Sequence, residues 1–186
     1  MIAVLDACVL YPPALRDLLM WLAVVMAYEP RWTEEIHAEW MHNVLEDRPD
    51  VTPAQLERTR RLMDQINPKC LVNGYERHLS ALTLPDEDDR HVLAAAIEAG
   101  ASVIVTFNLS DFPKQALTPY SVRALAPDVF LETLFTQNQA RFLRGIRQHR
   151  TSLKNPPKTV EEYLSGLKAQ GLTRLAQRLE AHSDEI

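Results

Sequence analysis

Two short apolar runs, each followed by a polar residue, constrain the fold of this chain more than any other feature. The first covers residues 2–5 and ends at Asp6, and the second, SVIVT at residues 102–106, is followed by Phe107 and Asn108. Runs of this length and character are typical of strands that are covered on both faces of a parallel sheet. The chain is therefore expected to build an α/β fold in which helices connect parallel strands.

Helical patterns fill most of the sequence between and beyond these runs. Proline and threonine residues at predicted helix starts and a glycine after residue 99 mark several boundaries. The predicted helices of the first part cover residues 14–28, 34–45, 53–66, 75–82 and 92–99, with further strands at 69–72 and 122–125. From residue 129 the pattern is purely helical, with helices predicted at 129–151, 160–169 and 173–182. The sequence thus predicts a core domain over residues 1–130 and a helical extension over residues 131–186.

The net charge of −5 hides an uneven distribution of charge along the chain. Between Thr133 and Val160 there is no Asp or Glu, whereas basic residues recur throughout this stretch, as Arg141, Arg144, Arg147, Arg150, Lys154 and Lys158. An acidic body that carries a basic segment is suited to a metal-binding acidic cluster beside a surface that attracts phosphate.

Composition and motif spacing exclude several other classes of protein. Cys8 and Cys70 are too few for a disulfide framework, and Cys8 is interpreted as a small core residue. His37 and His42 are five residues apart, about 140° around a helix, so they do not form a zinc pair. No phosphate-binding loop, dinucleotide-binding glycine motif or serine-hydrolase elbow occurs. Without a secretion signal or a stretch able to span a bilayer, a cytoplasmic protein without membrane partners is expected.

Oxygen-bearing side chains are predicted to gather at one edge of the sheet. Asp6 ends the first strand, and Asn108 and Asp111 follow another, so all three lie where ligands bind in open parallel sheets. Asp89 begins a helix on the face that packs against the sheet, and Glu39 borders the apolar stripe of its own helix. Carboxylates that converge in this way repel one another unless a cation lies between them. Hard oxygen ligands suit Mg²⁺ or Mn²⁺.

Each of these residues also has a purely structural interpretation. Asp6 and Asp89 could cap helices, Glu39 could belong to a solvated face, and Asn108 and Asp111 could stabilise a turn. The basic stretch could likewise be a solvated helix face. It is the combination of these residues that favours a functional site.

The order of these residues resembles the PIN domain family. VLDACVLYP supplies the Asp at the end of the first strand (Asp6), TEEIHAEW supplies a helical Glu (Glu39), and DRHVLAAAIEAGA supplies the central Asp (Asp89). VTFNLSDFP departs from the family pattern, because Asn108 stands where a fourth acid is usual and Asp111 follows three residues later. The segment SLKNPPKTVEEYL at residues 152–164 resembles the C-terminal extension of a subset of VapC-like toxins.

The resemblance implies a PIN-like three-layer α/β/α sandwich with a central parallel sheet, followed by a helical extension. It also implies an Mg²⁺- or Mn²⁺-dependent endoribonuclease, a hydrolase that acts as the toxin of a toxin–antitoxin pair and is inhibited by a cognate antitoxin. The partners of such an enzyme would be RNA and that antitoxin, and whether it forms a homodimer stays open. Asn108 removes one charge from the metal cage, so affinity for a second ion should be lower.

On this hypothesis each candidate residue has a role. The catalytic set is Asp6, Glu39, Asp89 and Asp111. The metal ligands are Asp6, Asp89, Asn108 and Asp111, and the hydroxyl of Thr106 orients a carboxylate. The residues that bind RNA or a partner are Arg141, Arg144, Arg147 and Arg150.

Two alternatives belong to other functional classes. One is a catalytically weak PIN-like module that binds RNA or protein, which Asn108 supports. The other is a phosphate-accepting receiver or phosphohydrolase domain. That domain would require adjacent acids after the first strand and a lysine near the last one, and neither DACVL nor the region of Ala124 and Leu125 supplies them.

Overall fold

The core of the fold is a sheet of short parallel strands. A computed structural model describes residues 1–186. The four strands are β1 (Ile2–Leu5), β2 (Glu29–Arg31), β3 (Val103–Val105) and β4 (Arg123–Leu125), and their order in the sheet is β2-β1-β3-β4, all parallel. The two central strands, β1 and β3, pair with Ala3 opposite Val103 and Leu5 opposite Val105, and these four residues are fully buried. The predicted parallel α/β fold is confirmed.

The chain also forms ten α-helices. In chain order they are α1 (Ala7–Leu10), α2 (Pro13–Val24), α3 (Glu34–Asp47), α4 (Pro53–Asp64), α5 (Arg90–Ala99), α6 (Lys114–Leu117), α7 (Pro127–Gln137), α8 (Gln139–Ser152), α9 (Val160–Ala169) and α10 (Thr173–Glu180). Two 3₁₀ segments, Tyr75–Ala81 and Thr118–Tyr120, complete the regular structure. No helix combines the length and apolar character that crossing a membrane requires.

The helices that position the candidate site begin and end where local chemistry favours it. Thr33 caps α3 by accepting a hydrogen bond from the amide of Ile36. The helix α5 ends at Gly100, which has a φ of 61° in the left-handed region that glycine adopts without strain. Both boundaries agree with the sequence pattern. Glu39 lies on α3 as predicted, and Asp89 immediately precedes α5.

Several element predictions were wrong. The strand β2 forms at Glu29–Arg31, where no strand was predicted, and the predicted strand at 69–72 is reduced to an isolated bridge between Trp32 and Leu71. The expected helix 129–151 is two helices, because Asn138 accepts a hydrogen bond from the amide of Arg141 and so starts α8 afresh. The helix α2 ends at Val24, four residues earlier than predicted.

The chain forms two compact units, of which the first holds the sheet. It comprises Met1–Pro13 and Glu29–Ala126, with α3, α4 and α5. The second comprises Ala14–Tyr28 and Pro127–Ile186, so nearly all of α2 groups with α7 to α10. The predicted boundary at residue 130 placed residues 14–28 in the first domain. The order of residues along the chain does not show that this segment groups with the C-terminal helices.

In the second unit, α2 and α8 approach closely at a glycine. A Cβ atom on Gly145 would lie 2.9 Å from both Leu22 Cδ2 and Val25 Cγ2. The absence of a side chain at this position therefore lets the two helices pack at their observed separation.

Candidate metal centre

Asp6 is a buried carboxylate that is only partly paired. It directly follows β1, it is 4% exposed, and its side chain does not cap α1. Its Oδ2 atom accepts hydrogen bonds from the hydroxyl of Thr106 at 2.6 Å and the thiol of Cys8 at 3.2 Å. No group in the chain donates to Oδ1. Since a buried charge is costly unless it is fully paired, this oxygen is suited to bind a cation.

Thr106 and Cys8 hold the Asp6 carboxylate in place. Thr106 is fully buried after β3, and its Oγ1 atom also accepts a hydrogen bond from the amide of Asn108 at 2.9 Å. Burial and the charge of Asp6 raise the pKa of the Cys8 thiol to about 12, so Cys8 stays protonated and donates to Asp6. The contact that the predicted role of Thr106 requires is present.

Asp89 is a carboxylate without a partner. It precedes α5, its side chain makes no capping hydrogen bond, and no cationic side chain forms an ion pair with it. Burial, together with the negative charges of Asp6, Asp111 and Asp86, raises the pKa of Asp89 from 3.8 to about 6. His91 opposes this rise only weakly. The field at Asp89 is therefore strongly negative, as expected where a cation would bind.

Asn108 and Asp111 lie in the turn that follows β3. The amide of Asp111 donates to the carbonyl of Asn108 at 3.1 Å, and the hydroxyl of Ser110 donates to the Asp111 carboxylate at 3.3 Å. The Asn108 side chain is exposed and makes no hydrogen bond. The charge of Asp111 acts on Asp89 and helps to raise its pKa, and whether Asn108 binds metal stays a prediction.

Glu39 faces a histidine that was not predicted. It is 40% exposed on α3, and its Oε1 atom lies 3.0 Å from Nε2 of His91, which is buried on α5. Glu35, one turn earlier on α3, lies 3.6 Å from His91 Nδ1 and accepts a hydrogen bond from the hydroxyl of Tyr75. Burial opposes protonation of His91, but the hydrogen bond to Glu39 and the nearby carboxylates outweigh it, so the pKa of His91 is raised.

The ligand atoms that already lie within 4.8 Å of one another belong to Glu35, Glu39 and His91, and neither Asp6 nor Asp89 is part of that group. Of these three residues, only Glu39 was predicted from the sequence, and Glu35 and His91 were missed. The available signal was a histidine directly before the alanine-rich run of α5, because a buried polar side chain needs a partner. Finding that partner requires knowing that α3 and α5 are neighbours.

The four predicted binding arginines fall into two pairs. Arg141 donates to the carbonyl of Met26 at 2.8 Å, and Arg150 donates to the carbonyls of Lys158 and Ile186 at 2.8 and 3.1 Å. These two side chains are therefore engaged in contacts within the second unit. Arg144 and Arg147 are exposed and make no hydrogen bond or ion pair through their side chains.

The donor chemistry at Asp6 and Asp89 fits a hard divalent cation. The side chains of Asp6 and Asp89 offer carboxylate oxygens, which Mg²⁺ and Mn²⁺ prefer, and neither carboxylate forms an ion pair with a lysine or arginine. A bound cation would remove the repulsion that raises the pKa of Asp89.

Comparisons with known proteins agree with this geometry. The PIN domain family matches residues 3–110, and the family described as the VapC50 C-terminal domain matches residues 127–181. A relative from Mycobacterium tuberculosis (strain ATCC 25618 / H37Rv), named "Putative ribonuclease VapC50", is 63% identical over 43 residues, which is 23% of this chain and 25% of that protein. The match thus spans a quarter of the relative's length. A search of solved structures gives no significant match. Since the PIN domain match covers more than half of the residues of this chain, the chain belongs to the PIN domain family.

Proposed function

We propose that this protein is a divalent-metal-dependent endoribonuclease of the VapC-like kind, acting as the toxin of a toxin–antitoxin pair. The observation that carries the proposal is the unpaired Asp89 carboxylate, whose pKa burial and the charges of Asp6 and Asp111 help to raise to about 6. Membership of the PIN domain family and the name of the M. tuberculosis relative support RNA as the substrate.

Asp6, Asp89 and Asp111 would hold Mg²⁺ or Mn²⁺, with Asn108 as a neutral ligand. When bound, the ion supplies Lewis-acid chemistry that activates a water and stabilises the leaving oxygen of a phosphodiester. Thr106 fixes the rotamer of Asp6 through its 2.6 Å hydrogen bond, so the ligand is oriented before binding.

Glu39 is the carboxylate best placed to handle the attacking water. It is partly exposed, and His91 anchors one of its oxygens at 3.0 Å. That anchor leaves the other oxygen to accept a hydrogen bond from the water and draw away its proton. His91 thereby acts as a positioning residue for Glu39.

Arg144 and Arg147 would bind phosphate groups of the RNA or an acidic segment of the antitoxin. Both are exposed on α8 and unpaired, and the sequence around them lacks acidic residues. Arg141 and Arg150 contribute by stabilising the surface on which these two side chains stand.

The test of this function is cleavage of structured and single-stranded RNAs with Mg²⁺, Mn²⁺ or a chelator. Asp6→Asn and Asp89→Asn should abolish cleavage and growth inhibition, whereas Asp88→Asn, an exposed neighbour, should retain both. Sequencing of new RNA ends in expressing cells would identify the cut sites. Equal cleavage by wild type and Asp89→Asn would overturn the assignment.

The second candidate function is a PIN-like module that binds RNA or protein without cutting. The amide of Asn108 in place of a carboxylate favours it, because a cage with less charge binds metal more weakly. Intact RNA after incubation, together with no Mn²⁺ binding by the purified protein, would establish this function instead.

A further inference from the structure

We propose that Phe107 and Leu109 form a nucleobase platform, on which one unpaired base of a single-stranded RNA stacks beside the candidate metal centre. Both side chains are large and apolar, and they are 47% and 46% exposed. The two residues lie in the turn that follows β3. The inference rests on the proposed ribonuclease function and deepens it, because it names an unpaired strand as the class of RNA that the site takes.

The turn does not need these two side chains to hold its shape. Its apolar anchor is Phe112, which is 2% exposed. Its backbone is closed by the amide of Asp111, which donates to the carbonyl of Asn108, and by the amide of Phe112, which donates to the carbonyl of Leu109. The ring of Phe107 packs on no other aromatic ring of the chain. Its apolar surface is therefore available to a ligand, and covering that surface removes it from water.

The backbone of Phe107 is fixed next to the Asp6 carboxylate. The Phe107 amide donates to Sγ of Cys8 at 3.3 Å, and the same thiol donates to Asp6 Oδ2 at 3.2 Å. Thr106, the preceding residue, donates its hydroxyl to the same oxygen at 2.6 Å. The ring thus projects from a point that one sulfur atom links to the candidate metal ligand. A phosphate bound at the metal centre places the base of an adjoining nucleotide near this ring.

The chemistry of the platform favours an unpaired base over duplex RNA. In a duplex the faces of the bases are covered by their neighbours, and proteins take up splayed bases of single strands and loops on aromatic side chains. A phenyl ring has no hydrogen-bonding group, so Phe107 accepts the face of any base. Stacking also supplies affinity that does not depend on charge, which matters beside acids that repel phosphate. The position beside the metal centre favours a base of the substrate over a segment of a partner protein.

The experiment measures the binding of a mixed-sequence single-stranded RNA by fluorescence anisotropy. The parent protein is the full chain with Asp89→Asn, which keeps the RNA intact and removes one charge that repels it. Phe107→Ala and Phe107→Leu should each weaken binding by about tenfold or more, whereas Phe107→Trp keeps an aromatic face and should bind at least as tightly as the parent. All three changes are at an exposed position, so the fold should tolerate them.

Tyr120→Ala is the matched control. Tyr120 is an exposed aromatic residue that precedes β4, at the edge where the parallel strands begin, whereas Phe107 follows β3 at the edge where they end. Its removal should leave the affinity unchanged. A second measurement needs no change in the protein surface: irradiation of the parent with an RNA that carries iodouracil should give a crosslink that mass spectrometry maps to Phe107.

Equal affinities for Phe107→Leu and Phe107→Trp would overturn the nucleobase platform. An equal loss of affinity for duplex RNA of the same sequence, crosslinks confined to other residues, or no binding of RNA by the parent would also overturn it. The binding assay involves no cleavage, so the two proposals can fail separately. Binding through Phe107 combined with no cleavage by wild type in Mg²⁺ or Mn²⁺ would refute the nuclease and leave the platform standing.

Discussion

The carboxylate of Asp89 should destabilise the metal-free protein, so its removal should make the fold more stable. Its pKa is raised from 3.8 to about 6, because burial and three neighbouring acids disfavour the charge. In the unfolded chain the carboxyl group ionises above pH 3.8, but in the folded chain only above about pH 6. Between pH 3.8 and about pH 6 the folded protein keeps a proton on Asp89 that the unfolded chain has released. Stability is therefore lost as the pH rises from about 4 to 6, and the loss persists above pH 6.

The size of the effect follows from the rise in pKa. A rise from 3.8 to about 6 corresponds to about 3 kcal/mol. Asp89 is partly exposed, and solvent screening reduces this to about 1–2 kcal/mol. Loss of a favourable helix-dipole interaction in Asp89→Asn opposes the gain by about 0.3–1 kcal/mol. Asp88→Asn, at the preceding exposed position, carries a similar dipole cost without the gain.

The assay is thermal and urea unfolding of wild type, Asp89→Asn and Asp88→Asn in a chelator. At pH 7.5 we expect Asp89→Asn to be more stable than Asp88→Asn by about 1–2 kcal/mol, or about 3–6 °C in Tm. At pH 4.5 the difference should shrink to about a third. Added Mn²⁺ should stabilise wild type more than Asp89→Asn. An Asp89→Asn protein no more stable than Asp88→Asn at pH 7.5, or a gain independent of pH, would refute the reasoning.

Three further variants test other parts of the structure. Thr106→Val removes the hydroxyl that donates to Asp6 and should lower the free energy of unfolding by about 1.5–3 kcal/mol; equal urea midpoints for Thr106→Val and the hydroxyl-retaining Thr106→Ser would contradict this. Charge reversal of Arg144 and Arg147 together should weaken RNA binding and lower the slope of log Kd against log salt concentration by about 1–2, whereas an unchanged slope would rule out phosphate contacts. Gly145→Ala places a Cβ atom 2.9 Å from the side chains of Leu22 and Val25 and should destabilise the fold by about 1–3 kcal/mol, which a higher Tm in calorimetry would disprove.

The parts of the fold that were predictable are those with a strong local signal. The buried strands β1 and β3 are wholly apolar, and Thr33 and Gly100 mark the start of α3 and the end of α5. The edge strand β2 has the sequence Glu-Pro-Arg, which has little intrinsic preference for a strand. It forms because Glu29, Pro30 and Arg31 lie opposite residues of β1. Tertiary pairing of this kind leaves no periodic pattern in the sequence.

The candidate site was predictable to the same extent. The residues that close strands or open helices, Asp6 and Asp89, could be placed at one sheet edge from topology alone. His91 could not, because its role depends on the packing of α5 against α3, as its contact with Glu39 shows. Arg150 has a contact that the sequence does not reveal, because its guanidinium donates to two backbone carbonyls of the second unit, while its role in RNA or partner binding stays a prediction.

The exchange of residues 14–28 into the second unit has a consequence for biosynthesis. The buried face of α2 includes Leu15, Leu18 and Leu22, and its partners in that unit begin at Pro127. During translation this apolar helix leaves the ribosome roughly a hundred residues before those partners, which at ordinary elongation rates is about 5–20 seconds. The nascent chain therefore displays a hydrophobic helix that chaperones can bind. The second unit cannot be expressed as a continuous C-terminal fragment without losing one of its own helices.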